Sequence, residues 1–197
     1  MSEDTKIRII EATNRVISHM GIAGTTMRRI ADEAGLSTGA LYHHYKSKEE
    51  IMYDAMDRSL SVSTRIAEEA QQAKYSRREV IERISENVKN RFAKIDDNKM
   101  QFYLAQEAIL GNEQISKQLK IKYKQWVGHT EELLESLYQT QPAKYNKAIS
   151  SLLIGAIDGI VMQTLLGATD TDDIEAICEV YDKLLLEGIP KLLEALK

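Results

Sequence analysis

The chain reads as all-α, and three observations carry that reading. Only Pro142 and Pro190 interrupt its 197 residues, aromatic residues make up 6%, and no stretch alternates apolar with polar residues between Asn-Gly or Asp-Gly turns. Apolar residues recur instead at helical spacing: Met27, Ile30, Ala31 and Ala34 fall at i, i+3, i+4 and i+7, a single stripe along a short helix. Helix starts are marked as well, because Ser47 to Glu50 and Ser76 to Glu79 both place a carboxylate at N3 after a serine N-cap, the spacing of a capping box.

Taken in order, the pattern predicts a helix over about Asp4 to Met20, then two short ones over about Met27 to Ala34 and Thr38 to His44. A longer helix follows from the Ser47 cap, about Lys48 to Ala73, and another from the Ser76 cap, about Arg77 to Lys94. Further helices are expected at about Asn98 to Leu110 and Glu113 to Tyr138. Pro142 marks a break that opens a helix over about Ala143 to Leu166, and the last runs over about Asp172 to Leu196 with a break near Pro190. Short elements with tight links give way to long ones, which suggests two domains: residues 1–47 and residues 48–197.

Composition bounds the class. With 43% hydrophobic and 28% charged residues the chain holds enough apolar material for a core. Its single cysteine, Cys178, excludes an intramolecular disulfide, and no Cys/His cluster stands at metal-ligand spacing. The acidic start Met1-Ser2-Glu3-Asp4 lacks the apolar run of a secretion signal, so a reducing cytoplasmic location is expected. Ala148 to Thr169 carries only Asp158 as a charge and has the length of a membrane span. Ser150, Ser151, Asp158, Gln163 and Thr164 argue against that reading, since a central carboxylate alone costs roughly 3 kcal/mol in hydrocarbon. A helix buried within a protein, or between two subunits, is the expectation.

The segment from Thr26 to Lys48 carries a function. Gly35 follows the apolar stripe where a helix end favours φ > 0, and Ser37 stands where an N-cap restarts a helix. That is helix-turn-helix spacing. Leu36 and Leu41 form the inner side of the second helix, while Thr38, Tyr42, His43, Tyr45 and Lys46 present hydroxyls, ring N–H groups and charge suited to phosphates and base edges. Gly39 is poorly suited to a helix interior, and close backbone approach to a duplex would explain it.

The run Thr26, Ile30, Ala31, Ala34, Gly35, Ser37, Gly39, Leu41, Tyr42, Tyr45 and Lys48 resembles the DNA-binding domain of the TetR family of bacterial transcriptional regulators, over about the first 55 residues. The resemblance implies base-edge contacts from Arg28, Thr38, Gly39 and His43, and phosphate contacts from Thr26, Tyr42, His44, Tyr45 and Lys48. It implies a double-stranded, near-palindromic operator and a homodimer through the helices at about 143–166 and 172–196. It also implies a small effector, hydrophobic or amphipathic, in a cavity lined by Phe102, Tyr103, Gln106, Trp126, His129, Asp158 and Met162. Neither a cofactor nor catalysis is implied.

Plainer readings stand beside these. Tyr42 and Tyr45 also fit half-buried aromatics that close a three-helix core. Arg28 and Arg29 with Asp32 and Glu33 make a solvated network, to which Arg29 is assigned, and each aromatic of the larger domain also fits a core role. His43 and His44 point about 100° apart on a helix and do not suit one metal ion. A helical enzyme using Asp158, His129 and Glu107 would leave the Thr26–Lys48 pattern unexplained, and a dimeric adaptor that has lost DNA binding stands as a third reading. The net charge of −4 is unevenly spread: residues 1–48 hold 7 basic and 5 acidic side chains, and the rest hold 19 and 25. A weakly basic head on an acidic body is the result.

Overall fold

In the computed structural model, which describes residues 3–60, 75–139 and 144–196, every regular element among the described residues is helical. They are α1 (Glu3–Gly24), α2 (Met27–Glu33), α3 (Thr38–Tyr42), α4 (Lys48–Leu60), α5 (Arg77–Ala93), α6 (Ile95–Ile109), α7 (Glu113–Tyr138), α8 (Lys144–Leu165), α9 (Thr171–Lys183) and α10 (Ile189–Ala195). One turn of π-helix, Leu184–Gly188, joins α9 to α10. The order matches the all-α expectation. The expected helix over Thr38 to His44 is shorter, ending at Tyr42, with His43 as its C-cap. Residues 61–73 of the expected fourth helix and the expected opening at Pro142 lie outside the described residues.

Two compact units result: Met1–Leu60 with Ile95–Lys120, and Ser61–Lys94 with Ile121–Lys197. Position 47, the boundary suggested by sequence, falls inside the first unit, where α4 packs on α1 and α6 packs on both. The first unit's core joins Ile9 and Ala12 of α1 to Ile30, Ala31 and Ala34, and then to Leu41, Tyr45 and Ile51. Full burial of Ile9, Ile30, Leu41 and Ile51 removes several branched side chains from water, each stabilising by roughly 1.5–3 kcal/mol. Helix α1 is kinked at Gly21, whose φ of 68° only glycine adopts without cost.

The second unit gathers Val80 and Ile81 of α5, Leu133, Leu134 and Leu137 of α7, Ile149 and Leu153 of α8, and Leu185, Ile189 and Leu193 of the last segment. Helix α5 opens with the full capping box expected from sequence. The Glu79 N–H donates to Ser76 Oγ at 3.3 Å and the Ser76 N–H to Glu79 Oε2 at 2.7 Å. The Ser76 hydroxyl also donates to Glu79 Oε2 at 2.7 Å, and that bond first, then the one from the Ser76 N–H, holds the Glu79 carboxyl below its ordinary range. At α4 the box is only half made: Ser47 Oγ accepts the Glu50 N–H, but the Glu50 carboxylate accepts the Lys46 N–H instead.

The break near Pro190 is a π-turn with a chemical cause. Proline lacks the N–H that Leu186 O would accept, and the Ile189 N–H bonds to Leu184 O rather than to Leu185 O. Two adjacent carbonyls are thereby freed. Tyr138 OH donates to Leu185 O and Arg77 Nη2 donates to Leu186 O at 3.4 Å, while the Arg77 guanidinium lies 4.7 Å from the Tyr138 ring centre. Burial pushes the Tyr138 phenol up to about 12, with Arg77 opposing the shift. A raised phenol pKa stabilises the fold below the ordinary value of 10.0, and the contribution is lost as pH climbs through 12. Tyr138→Phe, which leaves a buried carbonyl without a donor, is expected to cost about 1–3 kcal/mol in urea unfolding at neutral pH. It should also flatten the fall in stability between pH 10 and 12.

Candidate nucleic-acid interface

Helix α2 starts where Thr26 Oγ1 accepts the Arg29 N–H at 3.3 Å, and it stops at a Schellman turn. Gly35, at φ 65°, sends its N–H to Asp32 O, and Leu36 sends its N–H to Ala31 O at 2.9 Å. Ser37 then caps α3, its Oγ accepting the Ala40 N–H at 3.1 Å. Leu41 is fully buried, so the opposite side of α3 must face out.

On that outer side Tyr42, His43 and His44 are exposed, Thr38 is half-buried and Gly39 is exposed. Tyr42 leaves 54% of its surface in water, a large apolar area for a side chain with no cover. Arg28 is nearly free of the protein, its side chain 85% exposed and 4.0 Å from Asp32. Thr26 accepts a bond as a cap, which leaves its hydroxyl hydrogen available to a phosphate oxygen. Gly39 is not required by packing, since an added Cβ would meet only Ser37 Oγ, at 4.0 Å.

Two assignments from sequence change. Tyr45, a candidate phosphate ligand, belongs to the core: it is 6% exposed and its hydroxyl donates to Asp54 Oδ2 at 2.9 Å. Burial first, and then Asp54, raise its phenol pKa strongly, so the group stays a neutral donor. Arg29, assigned to a solvated network, instead donates through its guanidinium to Gly24 O at the end of α1. The salt bridge at that corner comes from Arg15, which reaches Glu33 at 2.6 Å. Nothing in the local spacing announces this pairing, because the partners lie on different helices.

Lys48 is held. Its Nζ donates to Ile22 O at 3.4 Å and lies 5.5 Å from the centre of the Tyr103 ring. Tyr103 OH in turn donates to Glu49 Oε1 at 3.2 Å, and Gln114 Nε2 donates to Glu50.

The residues expected to line an effector cavity divide between the units. Phe102, Tyr103 and Gln106 belong to the first, and Trp126, His129, Asp158 and Met162 to the second. In the second unit Asp158 accepts a 2.7 Å bond from Tyr123 OH and stands 3.9 Å from Arg91 Nη2, so this acid within an apolar helix is paired. Tyr123 meets Trp126 edge to face at 5.0 Å. Trp126 is buried, and its indole N–H has no acceptor among the described residues. Met162 is 39% exposed. Glu107, the third member of the enzyme alternative, lies in the first unit, apart in the chain from Asp158 and His129.

Capped α2, a four-residue link (34–37) and an outward polar face on α3 together define a helix-turn-helix module of the DNA-reading kind. Residues 9–54 match the family described as bacterial regulatory proteins, tetR family. That match covers the helix-turn-helix region of the first unit and less than half of the chain. A regulator of Bacillus subtilis, PksA, is 46% identical over 54 residues, which cover 27% of this chain and 26% of that one. The chain's match spans about a fifth to a third of the length of the curated relatives. Over the whole fold it is similar to a TetR-family transcriptional regulator from Rhodococcus, with TM-score 0.72, 16% identity and coverage of 95% and 100% of the two chains. It is similar also to a putative regulator from Saccharomonospora viridis solved in complex with choline, with TM-score 0.69, 19% identity and coverage of 94% and 98%.

The two tyrosines of α3 and its exit should separate sharply in a stability measurement. Tyr45→Ala is expected to cost about 3–5 kcal/mol in chemical denaturation as a core deletion, and Tyr42→Ala to stay within about 0.5 kcal/mol of the parent.

Proposed function

We propose that this protein is a cytoplasmic transcriptional repressor that binds a near-palindromic operator as a homodimer and is released by a small-molecule effector. The observation that carries the reading is the outward face of α3 and its flanks. It presents Thr38, Tyr42, His43 and His44 around Gly39, with Arg28 and Thr26 on α2 and Lys48 at the head of α4. Arg28, Thr38, Gly39 and His43 read base edges, and Thr26, Tyr42, His44 and Lys48 hold phosphates; Tyr45 supports them from the core. In functional terms residues 1–47 form the reading head, and residues 48–197 serve effector binding and dimerisation.

The homodimer reading rests on α8 and α9. Tyr145–Leu165 is long and apolar enough to cross a membrane by length and composition, and only 22% of its most apolar window is buried within the protomer. Leu152, Leu166 and Val180 are about 70% exposed, and Gly155 and Gly159 face open space. A groove of about 570 Å³ runs between α8 and α9, lined by Ile157, Ile160, Ile177, Val180 and Leu184. An isologous contact with a second copy would cover this apolar face, and it would set two α3 helices about 34–36 Å apart in successive major grooves.

The effector reading rests on Trp126. Its buried N–H, beside the Tyr123–Asp158 pair, suits a ligand with an apolar body and one hydrogen-bond acceptor. His129 and Met162 of the same unit remain proposed lining residues. Such an effector acts by favouring a dimer whose heads are wrongly spaced for the operator.

Three measurements test the reading: duplex binding, fold stability and sedimentation. A duplex selected from a random pool should bind with an affinity that falls steeply with salt. Lys48→Ala should reduce the log–log salt slope by about one. Gly39→Ala should leave the fold as stable as before, or up to about 1 kcal/mol more stable, yet weaken duplex binding, and equal binding would remove the close-approach role of Gly39. Leu152→Glu with Val180→Glu, both on surface residues of the protomer, is expected to give a folded monomer in sedimentation at concentrations where the parent is dimeric.

A further inference from the structure

Three consecutive residues at the head of α4 are each engaged by the helices that follow it in the same unit. The Tyr103 ring of α6 lies 5.5 Å from Lys48 Nζ, the Tyr103 hydroxyl donates to Glu49 at 3.2 Å, and the Gln114 amide of α7 donates to Glu50. Glu50 also accepts the Lys46 N–H at 2.6 Å. The chemistry of the spot makes this arrangement consequential. Lys48 is flanked by two carboxylates, which suit the positive end of a helix dipole but would repel a phosphate if left to swing freely.

We infer that Tyr103 is a positioning residue for the phosphate contact of Lys48: its ring fixes the ammonium while its hydroxyl ties down the neighbouring Glu49 carboxylate. The inference rests on the reading of Lys48 as a phosphate ligand. An ammonium has three N–H donors, and the carbonyl of Ile22 takes one, so donors remain for a phosphate oxygen. The π-face holds the charge in place without consuming a donor. Burial, and then the charges of Glu49 and Glu107, push the Tyr103 phenol up to about 12, so the hydroxyl remains a donor across the neutral range. Tyr103 thus turns from a candidate effector-lining residue into a link by which α6 holds the head of α4. Phe102 and Gln106 sit on either side of it in the same helix, so a shift of α6 reaches Lys48 with no intermediate.

The test uses the full chain and a duplex that the wild-type protein selects from a random pool. Tyr103→Phe keeps the ring and removes only the hydroxyl, so folding is preserved and the Glu49 carboxylate is freed. Affinity for the duplex should drop about five- to tenfold. Adding Glu49→Gln should restore it to within about twofold of Glu49→Gln alone, because no charge is left to repel the phosphate. Tyr103→Leu, which removes the ring, should lower the salt slope by about one in the parent background and change nothing further in Lys48→Ala. A loss that persists in Glu49→Gln, or that adds fully to Lys48→Ala, overturns the positioning role and assigns Tyr103 to packing alone. If the wild type enriches no duplex, the DNA reading itself fails and this inference fails with it. Wild-type binding with unchanged Tyr103 variants strikes only the inference.

Discussion

The left-handed turn at Gly35 is the constraint on which the reading head depends. With φ at 65°, the chain folds back so that the Gly35 and Leu36 N–H groups satisfy the last carbonyls of α2, and Ser37 can cap α3 two residues later. A β-carbon there would be strained whatever the space around it. Because the turn is this short, α3 has no freedom to slide along α2. Leu41 must enter the core formed by Ile9, Ile30 and Ile51, and its burial turns Tyr42 and His43 outward. A hydrogen-bonded link of four residues thus decides which side chains can meet a nucleic acid.

That logic also explains what could be read in the sequence and what could not. Helical order, the Gly35 stop, the Ser37 and Ser76 caps and the inward Leu41 follow from spacing alone, because each depends on residues within one turn of one another. Tyr42 and Tyr45 look alike in sequence and separate only in three dimensions. Tyr45 stands four residues beyond Leu41 and falls on the core side, where Asp54 of the next helix takes its hydroxyl. Arg29 and Lys48 were similarly opaque, since the carbonyls they bind, Gly24 and Ile22, end a preceding helix. Ser47–Glu50 shows the opposite failure. A correct capping signal is half overridden because Lys46 and Gln114 compete for the same carboxylate.

In the second unit the pattern is interrupted by chemistry. Pro190 removes one donor from the last helical segment, and the π-turn before it removes another, so two carbonyls must be satisfied from outside the helix. Arg77 and Tyr138 come from the starts and ends of other helices, and they stack on one another. Sequence locates the break but not its partners, which are separated from it by about fifty to a hundred residues.

Charge ties these features to function. Residues 1–48 carry only two more basic than acidic side chains, and the remainder of the chain is acidic. Such a protein lacks the broad positive field that lets a strongly basic domain hold DNA whatever the orientation of its side chains. If the proposed DNA reading holds, binding must come from a few cations held in the right places, each close to carboxylates that could undo it: Arg28 beside Asp32, and Lys48 beside Glu49 and Glu50. Under those conditions placement outweighs number. On the proposed reading, a small shift that frees one carboxylate would both lose an attraction and add a repulsion at the same phosphate, so a weakly basic head would be more sensitive to movement of α6 than a highly charged one.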